Sequence, residues 1–349
     1  MSSVARRISV PALANAVFRM RELGIFVALA ATVLLFSVRA HNFATLGNWR
    51  DIATDVAMVV VVAVGETMVV LTRNIDLSVG SIAGLTAYVS SSTLAHHHGT
   101  PLPVIALIAI GIGLACGIGN GLLVAVGRIP AIIATLATLA IYRGVLFEVT
   151  HGQNVFASQL PNRFLDLAAR TPAGLPSLAW VALAVALAGA AALRWAPWGR
   201  DFYAIGSNPE AARFAGVRVV RRVFLAFALS GALAGLGGFM FAARFASVDA
   251  TAARGFEFDV VTAVVIGGVN VFGGSGSILG VALGAILVAT INNGFTLLHI
   301  SEFWKMFFDG AAIVVAVTVD SLIKDRLQEF LRSRRRAQLL AAEHQAAVR

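Results

Sequence analysis

The sequence predicts an all-α polytopic membrane protein, and its composition and long apolar stretches carry that prediction. Of the 349 residues, 58% are hydrophobic and 13% are charged, and the mean hydropathy is +0.83. Soluble domains usually carry about 25% charged residues. Lipid cannot hydrogen-bond the backbone, and the apolar stretches do not alternate as barrel strands do. These segments are therefore predicted to cross the membrane as helices.

The apolar stretches predict about ten membrane-spanning helices, one or two of them broken, since about 20 helical residues cross a hydrocarbon core. The eighth predicted span is short and interrupted. Residues 1–22 and 324–349 then form an N-terminal segment and a basic tail outside a membrane domain of 23–323. The single cysteine, Cys116, excludes an intrachain disulfide. The predicted spans are 23–38, 56–72, 79–95, 102–126, 131–149, 178–193, 223–243, 260–271, 277–294 and 306–323.

The uneven distribution of Lys and Arg predicts the orientation. With both termini in the cytoplasm, nineteen of the 27 basic residues lie on the inner side, as the positive-inside rule requires of a bacterial inner-membrane protein. The segment 194–222 is then cytoplasmic, whereas 96–99 and the loop 151–177 face the periplasm. The net charge of +9 follows from this topology and from contact with anionic membrane lipid, so no nucleic-acid partner is predicted.

Glycines recur at four-residue spacing, as close helix contacts in lipid need. Gly113 and Gly117 form one such row, with Gly111 on the neighbouring row of the same helix, and Gly231 and Gly235 form another. We interpret these glycines as packing positions without a chemical role.

Two charged residues, Arg73 and Asp76, interrupt the apolar sequence between the second and third predicted spans. A charge at the centre of a span costs about 2.5–3.5 kcal/mol on insertion scales, so charges here need a turn, an ion pair or a wet cavity. Asp76 or Ser78 can cap the helix that follows. The segment 71–81 is therefore either an interfacial capping turn or a polar corner near a transport path.

The segment 206–216 predicts a short cytoplasmic helix with both ends specified. Asn208 is a good N-cap, Pro209 suits the first helical position, and Glu210 complements the helix dipole. Gly216 is a natural C-cap. On these grounds alone the helix is either a handle for a partner or a connector between spans.

Several motifs resemble those of ABC importer permeases. Glu210-Ala211-Ala212, followed after three residues by Gly216, is similar to the EAA-x-x-x-G signature of that family. The sequence YAIGSNP at 203–209 and NIDLSVGS at 74–81 resemble its ribose-type monosaccharide branch, where a glycine usually stands in place of Asn74. Further similar motifs lie at 129–136, 264–268, 273–277 and 292–294, so the resemblance covers nearly the whole chain.

The resemblance implies a type II-like ABC importer permease that works with three protein partners. These are a second permease subunit in a homo- or heterodimer, a cytoplasmic ABC ATPase and a periplasmic sugar-binding protein. The implied ATPase-coupling residues are Gly206, Asn208, Pro209, Glu210, Ala211, Ala212, Phe214 and Gly216. The residues expected along the translocation path are Asn74, Asp76, Ser78, Ser81 and Asn120. The chain lacks a G-x-x-x-x-G-K-[ST] phosphate loop, so ATP hydrolysis is expected on the partner, with no catalytic residue, metal or cofactor in this chain.

Two other function classes need features that this sequence supplies poorly. A proton-coupled secondary sugar transporter needs carboxylates or histidines deep in its spans. The candidates are Glu66, on the same helical face as Arg73, with Glu148 and Asp309 near span ends. A membrane enzyme needs a metal or nucleophile cluster, but the consecutive histidines at 96–98 point in different directions and favour a solvated loop.

The substrate is predicted from the resemblance alone. The segments 71–76 and 139–144 look most like permeases for rhamnose or for autoinducer-2, and less like ribose permeases. Rhamnose is favoured, with autoinducer-2 and pentoses as alternatives. No strip of intramembrane charge indicates an ionic substrate, and a few Asn, Ser and Thr groups suffice for the hydroxyls of a sugar.

Overall fold

The computed structural model describes residues 10–301, 303–315 and 317–318, with side chains from Leu23 onwards. These residues form helices joined by short loops, and the only β pairing among them is one isolated bridge between Val155 and Val248. The helices are α1 (Val10–Arg39), α2 (Leu46–Leu71), α3 (Val79–His96), α4 (Leu102–Gly121), α5 (Ala131–Thr150), α6 (Asn162–Ala169), α7 (Ser177–Trp195), α8 (Pro197–Ser207), α9 (Pro209–Phe214), α10 (Val219–Phe245), α11 (Phe256–Ile266), α12 (Ile278–Leu297) and α13 (303–315). A π-helical turn, Leu122–Val126, prolongs α4.

Each predicted span overlaps a helix, although 260–271 runs past the end of α11 at Ile266 and 306–323 is described only in part. Only six helices of the described part are long and apolar enough to cross a membrane. They are α2, α4 with its π turn, α5, α7, α10 and α12. Within the residues of α1 whose side chains are described, Leu23–Arg39 is a shorter apolar stretch, and α11 has 11 residues. The all-helical, polytopic class is therefore confirmed, whereas the expected count of about ten spans is not. Residues 1–9, most of 316–323 and the basic tail 324–349 lie outside the described residues.

The helices separate into an interior group and a peripheral group. The apolar stretch of α2 is 89% buried, and those of α10 and α12 are 67% and 61% buried, whereas α4, α5 and α7 each reach only 22%. Most residues of α3 are buried as well. The peripheral helices therefore present apolar side chains outward, which suits contact with lipid and excludes a water-facing surface.

The glycine rows bring α4 and α10 into backbone contact. A Cβ atom on Gly113 would lie 2.2 Å from the Gly231 carbonyl oxygen, and one on Gly117 would lie 2.4 Å from the Phe227 carbonyl oxygen. No side chain fits at either position. A Cβ atom on Gly111, on the neighbouring row, would meet nothing within 4 Å. The packing role predicted for Gly113 and Gly117 is confirmed, whereas the packing role predicted for Gly111 is wrong, because that position faces open space.

Polar contacts fasten the bundle at its two ends. At one end, Arg244 in the last turn of α10 donates to Asp55 in α2 at 2.8 Å. At the other end, the Gly274 N–H donates to the carbonyl oxygen of Leu71, the last residue of α2, at 3.1 Å, and Gly206 of α8 lies against the same carbonyl. We call these the Arg244 end and the Gly206 end.

Candidate functional site

A break in the helix pattern separates α2 from α3 over residues 72–78, which we call the α2–α3 break. Arg73 has a left-handed φ of 68°, a conformation that side chains other than glycine adopt at a cost. The backbone turns back on α2, because the N–H groups of Thr72 and Asn74 both donate to the Val69 carbonyl oxygen, at 2.9 and 3.3 Å. The charged segment identified in the sequence is therefore an ordered non-helical turn.

Asp76 organises the second half of the break. Its Oδ1 accepts the Ser78 backbone N–H at 3.0 Å and the Ser78 hydroxyl at 2.6 Å. The Ser81 hydroxyl donates to the Ser78 carbonyl oxygen at 2.8 Å. All three residues are fully buried. Ser78 occupies the N-cap position of α3 without a side-chain capping bond, so Asp76, two residues before α3, supplies the polar contact instead.

Asn120 of α4 closes this group from a distant part of the chain. Its Nδ2 donates to the Ser78 hydroxyl oxygen at 2.7 Å and lies 3.3 Å from both carboxylate oxygens of Asp76. Asn120 is also fully buried. We call Asp76, Ser78, Ser81 and Asn120 the polar corner. The structure thus brings together four of the five residues that were expected along the translocation path.

The fifth residue, Asn74, lies outside the polar corner. Its Nδ2 donates to the Thr72 carbonyl oxygen at 3.0 Å and to the Thr72 hydroxyl at 2.9 Å. It is half-buried, unlike the members of the corner. Asn74 therefore stabilises the beginning of the α2–α3 break.

Three further residues support the corner, two of which the sequence did not single out. The Tyr142 hydroxyl of α5 lies 3.3 Å from Asn120 Oδ1 and donates to the Cys116 carbonyl oxygen at 2.9 Å. The Thr135 hydroxyl lies 3.2 Å from the Ile75 carbonyl oxygen. Thr135 and Tyr142 are seven residues apart and thus share a face of α5. That spacing is the one signal in the sequence that points to them.

Glu66 is the third supporting residue. Its contacts differ from those expected if it shared a helical face with Arg73. Its Oε1 accepts the Asp76 backbone N–H at 3.0 Å, whereas Arg73 turns away to the carbonyl oxygens of Gly206 and Ser207. Glu66 is fully buried inside α2. Glu66 and Arg73 therefore do not share a helical face as the sequence predicted, because α2 ends at Leu71 and the turn directs the Arg73 side chain elsewhere.

The predicted helix at 206–216 is present as α9, with both ends capped. The Asn208 side chain accepts the backbone N–H groups of Glu210 and Ala211, both at 3.0 Å. At the other end Gly216, with φ of 85°, donates to the Arg213 carbonyl oxygen, and the next N–H along the chain closes onto the carbonyl of Ala212. This pair of bonds is a Schellman C-cap. Residues adjacent in sequence therefore set both ends of this helix.

The surface of α9 divides into an inward and an outward side. Ala212 is buried, whereas Ala211 and Glu210 are exposed. The Phe214 side chain is 91% exposed, which is unusual for a large apolar residue at the end of a membrane protein. A helix that is rigid, exposed and apolar at its tip is suited to contact another protein.

The helix before α9 is anchored to the rest of the chain. Arg222 of α10 donates to Asp201 of α8 at 2.7 Å. The Tyr203 hydroxyl donates to the Gly276 carbonyl oxygen at 3.1 Å, and burial raises the pKa of Tyr203 above its usual range, so this donor stays protonated. These contacts join α8 to the N-terminus of α10 and to the 267–277 loop.

The described residues offer little for metal or nucleophilic chemistry. Among them, no group of three or more His, Cys, Asp or Glu side chains could hold a metal ion. His96 contacts the Ser92 carbonyl oxygen at 2.8 Å and His98 the Gln159 carbonyl oxygen at 3.1 Å. The consecutive histidines thus diverge, as their spacing predicted.

Comparison with known proteins gives a consistent result. Residues 48–317 match the family described as the branched-chain amino acid transport system permease component. The autoinducer 2 import system permease protein LsrC of Photorhabdus laumondii is 33% identical over 320 residues, which cover 92% of this chain and 95% of that protein. The ribose import permease protein RbsC of Escherichia coli K12 is 36% identical over 297 residues, covering 84% and 92% of the two chains. No solved structure matches the chain.

Proposed function

The chain belongs to the permease family of the branched-chain amino acid transport systems, and on that premise we propose that it is the membrane-spanning permease subunit of an ABC importer for a monosaccharide. The relatives that match over most of their length are import permeases named for ribose and for autoinducer 2. The observation that carries the proposal is α9, a capped helix whose Phe214 side chain is 91% exposed at the Gly206 end.

The helix α9 is the element that docks onto the ATPase in this proposal. Its exposed residues, Glu210, Ala211 and Phe214, form the contact, while buried Ala212 seats the helix on its own chain. Gly206, Asn208, Pro209 and Gly216 fix where the helix begins and ends. A helix with both ends capped transmits a push as a rigid body, which a frayed connector cannot do.

The same proposal assigns the other partners and the chemistry. ATP hydrolysis belongs to a separate ATPase, since this chain lacks a phosphate loop. A second permease subunit completes the pore, and a periplasmic binding protein delivers the substrate. The apolar outward faces of α4, α5 and α7 suit lipid and a second permease subunit.

We propose an inner-membrane topology of ten crossings, with both termini and the Gly206 end in the cytoplasm. The six long apolar helices are joined in this arrangement by α1, α3, α11 and α13. The distribution of basic residues supports this orientation, since the segment from α8 to the first turn of α10 carries Arg200, Arg213, Arg218 and Arg221. The Arg244 end then faces the periplasm, together with the 151–177 loop.

The translocation path is proposed to run beside the polar corner and Asn74. Asp76, Ser78, Ser81 and Asn120 are buried in this conformation, so substrate reaches them only when α4 and α5 move away from the α2–α3 break. Hydroxyl and amide groups exchange hydrogen bonds with a sugar readily and do not trap it. The corner thus offers the sugar a transient polar surface within an apolar bundle.

The substrate that we propose is a small neutral polyhydroxy compound. The motifs at 71–76 and 139–144 favour rhamnose. The names of the relatives favour ribose or autoinducer 2 instead. One uptake experiment distinguishes these three substrates, and none of the three results would change the assignment as a permease.

Uptake of labelled rhamnose, ribose, xylose and autoinducer 2 in a strain that lacks this chain tests the proposal. Uptake of one of the four should be lost, should return with the wild-type chain, and should cease on ATP depletion. Uptake that survives ATP depletion would reject the ABC assignment and favour a secondary transporter. Unchanged rhamnose uptake in the deletion strain would reject rhamnose as the substrate.

Co-purification of the ATPase tests the role of α9 separately. Phe214→Ser should lose the ATPase, because an apolar anchor is removed from the contact. Phe156→Ser is the matched control, since Phe156 is 54% exposed and lies in the 151–177 loop at the opposite end. Equal recovery of the ATPase with both variants would show that α9 is a connector.

A further inference from the structure

We propose that Arg73 is the positioning residue that transmits movement of α8 and α9 to the polar corner. The inference rests on the proposed function, in which α9 contacts the ATPase. It adds a specific mechanical connection between that contact and the path. Arg73 itself contacts neither the ATPase nor the substrate in this account.

The first step is the contact that the Arg73 side chain makes. Its Nε donates to the Gly206 carbonyl oxygen at 2.6 Å, and its Nη2 donates to the Ser207 carbonyl oxygen at 2.9 Å. These are the last two carbonyls of α8, where a helix presents unpaired acceptors and partial negative charge. The guanidinium fork therefore holds the end of α8 immediately before α9 begins at Pro209.

The second step concerns the contact between the end of α2, the end of α8 and the 267–277 loop, which we call the joint. The joint has no free space. A Cβ atom on Gly206 would lie 2.0 Å from the Leu71 carbonyl oxygen and 2.1 Å from the Gly274 nitrogen. One on Gly273 would lie 2.6 Å from Arg73 Cγ. Three backbone segments thus meet without intervening side chains, and displacement of α8 must displace the end of α2 with it.

The third step connects the joint to the corner. Asp76 follows Arg73 by three residues, and the Ile75 carbonyl between them lies 3.2 Å from the Thr135 hydroxyl of α5. Asp76 contacts Asn120 of α4. A shift of the α2–α3 break is therefore passed to α4 and to α5, through contacts made by the adjacent residues Ile75 and Asp76.

The fourth step separates this contact from an ordinary surface ion pair. Among the described residues, no ion pair joins Arg73 to a carboxylate, so its charge is directed to backbone carbonyls. By contrast, Arg222 and Asp201 join α8 to α10 as an ion pair. Arg73 also occupies a left-handed backbone conformation, which local sequence does not favour and tertiary contacts must maintain.

The test compares Arg73→Ala and Arg73→Lys with the control Arg128→Ala in the assembled transporter with its ATPase. Arg128 is also exposed, follows α4 at the Gly206 end and has a φ of 58°. No hydrogen bond from its side chain is present among the described residues, so its loss removes the same charge without removing the joint. The measurements are assembly with the ATPase, basal ATP hydrolysis, and the ratio of substrate-stimulated to basal hydrolysis.

Arg73→Ala should assemble and hydrolyse ATP at the basal rate while the stimulation ratio and uptake fall by about tenfold. Arg73→Lys should give an intermediate ratio, because a single ammonium replaces the two-pronged fork. Arg128→Ala should match the wild type. Wild-type coupling in Arg73→Ala, or failure of that variant to assemble, would overturn the inference. Absence of ATP-dependent uptake by the wild-type protein would instead overturn the proposed function.

Discussion

Replacement of Asn120 by leucine should destabilise the protein by leaving buried groups of the polar corner without hydrogen-bond partners. In the described part of the chain, Asp76 Oδ2 has a hydrogen bond only from Asn120, at 3.3 Å, while the Ser78 hydroxyl loses its bond at 2.7 Å. Leaving a buried acceptor without a partner costs about 1–3 kcal/mol, and the loss of a neutral hydrogen bond costs about 1 kcal/mol. We therefore expect Asn120→Leu to lower the free energy of unfolding by about 3 kcal/mol.

Tyr142→Phe is the matched comparison, because the single proton of the Tyr142 hydroxyl goes to the Cys116 carbonyl at 2.9 Å and not to the more distant Asn120 Oδ1 at 3.3 Å. Its loss therefore unpairs no carboxylate oxygen. The Cys116 carbonyl that accepts this hydroxyl remains within the hydrogen-bond ladder of α4. The expected loss is about 1 kcal/mol or less. Unfolding in mixed micelles titrated with SDS and followed by circular dichroism measures both variants. Equal losses, or a loss below about 1 kcal/mol for Asn120→Leu, would refute the reasoning.

The remaining predictions concern packing, capping and topology. Gly113→Val should be about 3 kcal/mol less stable than Gly111→Val in the same titration, because only the Cβ atom at 113 meets the backbone of α10; similar stabilities would contradict the close crossing. Gly216→Val should abolish ATPase co-purification and uptake, whereas Gly216→Asn should retain both, since asparagine tolerates the φ of 85° and valine does not; normal coupling with valine would remove the cap from the account. With the native cysteine replaced, an impermeant maleimide applied outside should modify a cysteine at His97 and spare one at Ser207, and the reverse pattern would invert the topology.

Local patterns determined where the helices lie. Hydropathy located a helix for each of the ten predicted spans, because each apolar run must satisfy its own backbone hydrogen bonds, although the span 260–271 was placed past the end of α11 at Ile266. The residues Asn208, Pro209 and Gly216 determined the bounds of α9 for a related reason, since capping bonds form between neighbours in sequence. The number of membrane crossings is harder to predict from hydropathy. A short apolar helix such as α11, with 11 residues, can be buried among its neighbours without crossing the membrane by itself.

The sequence predicted only part of the candidate site. The charged segment at 71–81 identified Asp76 and Ser78, since charges between two apolar runs need a polar environment. The sequence placed Glu66 beside Arg73 by extending α2 past Leu71. The turn at Thr72 and Arg73 prevents that arrangement, and nothing in the local sequence reveals the left-handed φ at Arg73.

The sequence by itself determined that this protein is an α-helical membrane permease, that α9 is a capped helix and that the rows of Gly113 and Gly231 are contact surfaces. Each of these follows from residues close together in the chain or from a motif in fixed order. Only the tertiary structure decided that Asn120 and Asp76, separated by 44 residues, share one buried network and that Arg73 holds the end of α8, 133 residues away. Such contacts depend on how helices pack across the bundle, and a hydrogen bond between distant residues leaves no periodic signal in a single sequence.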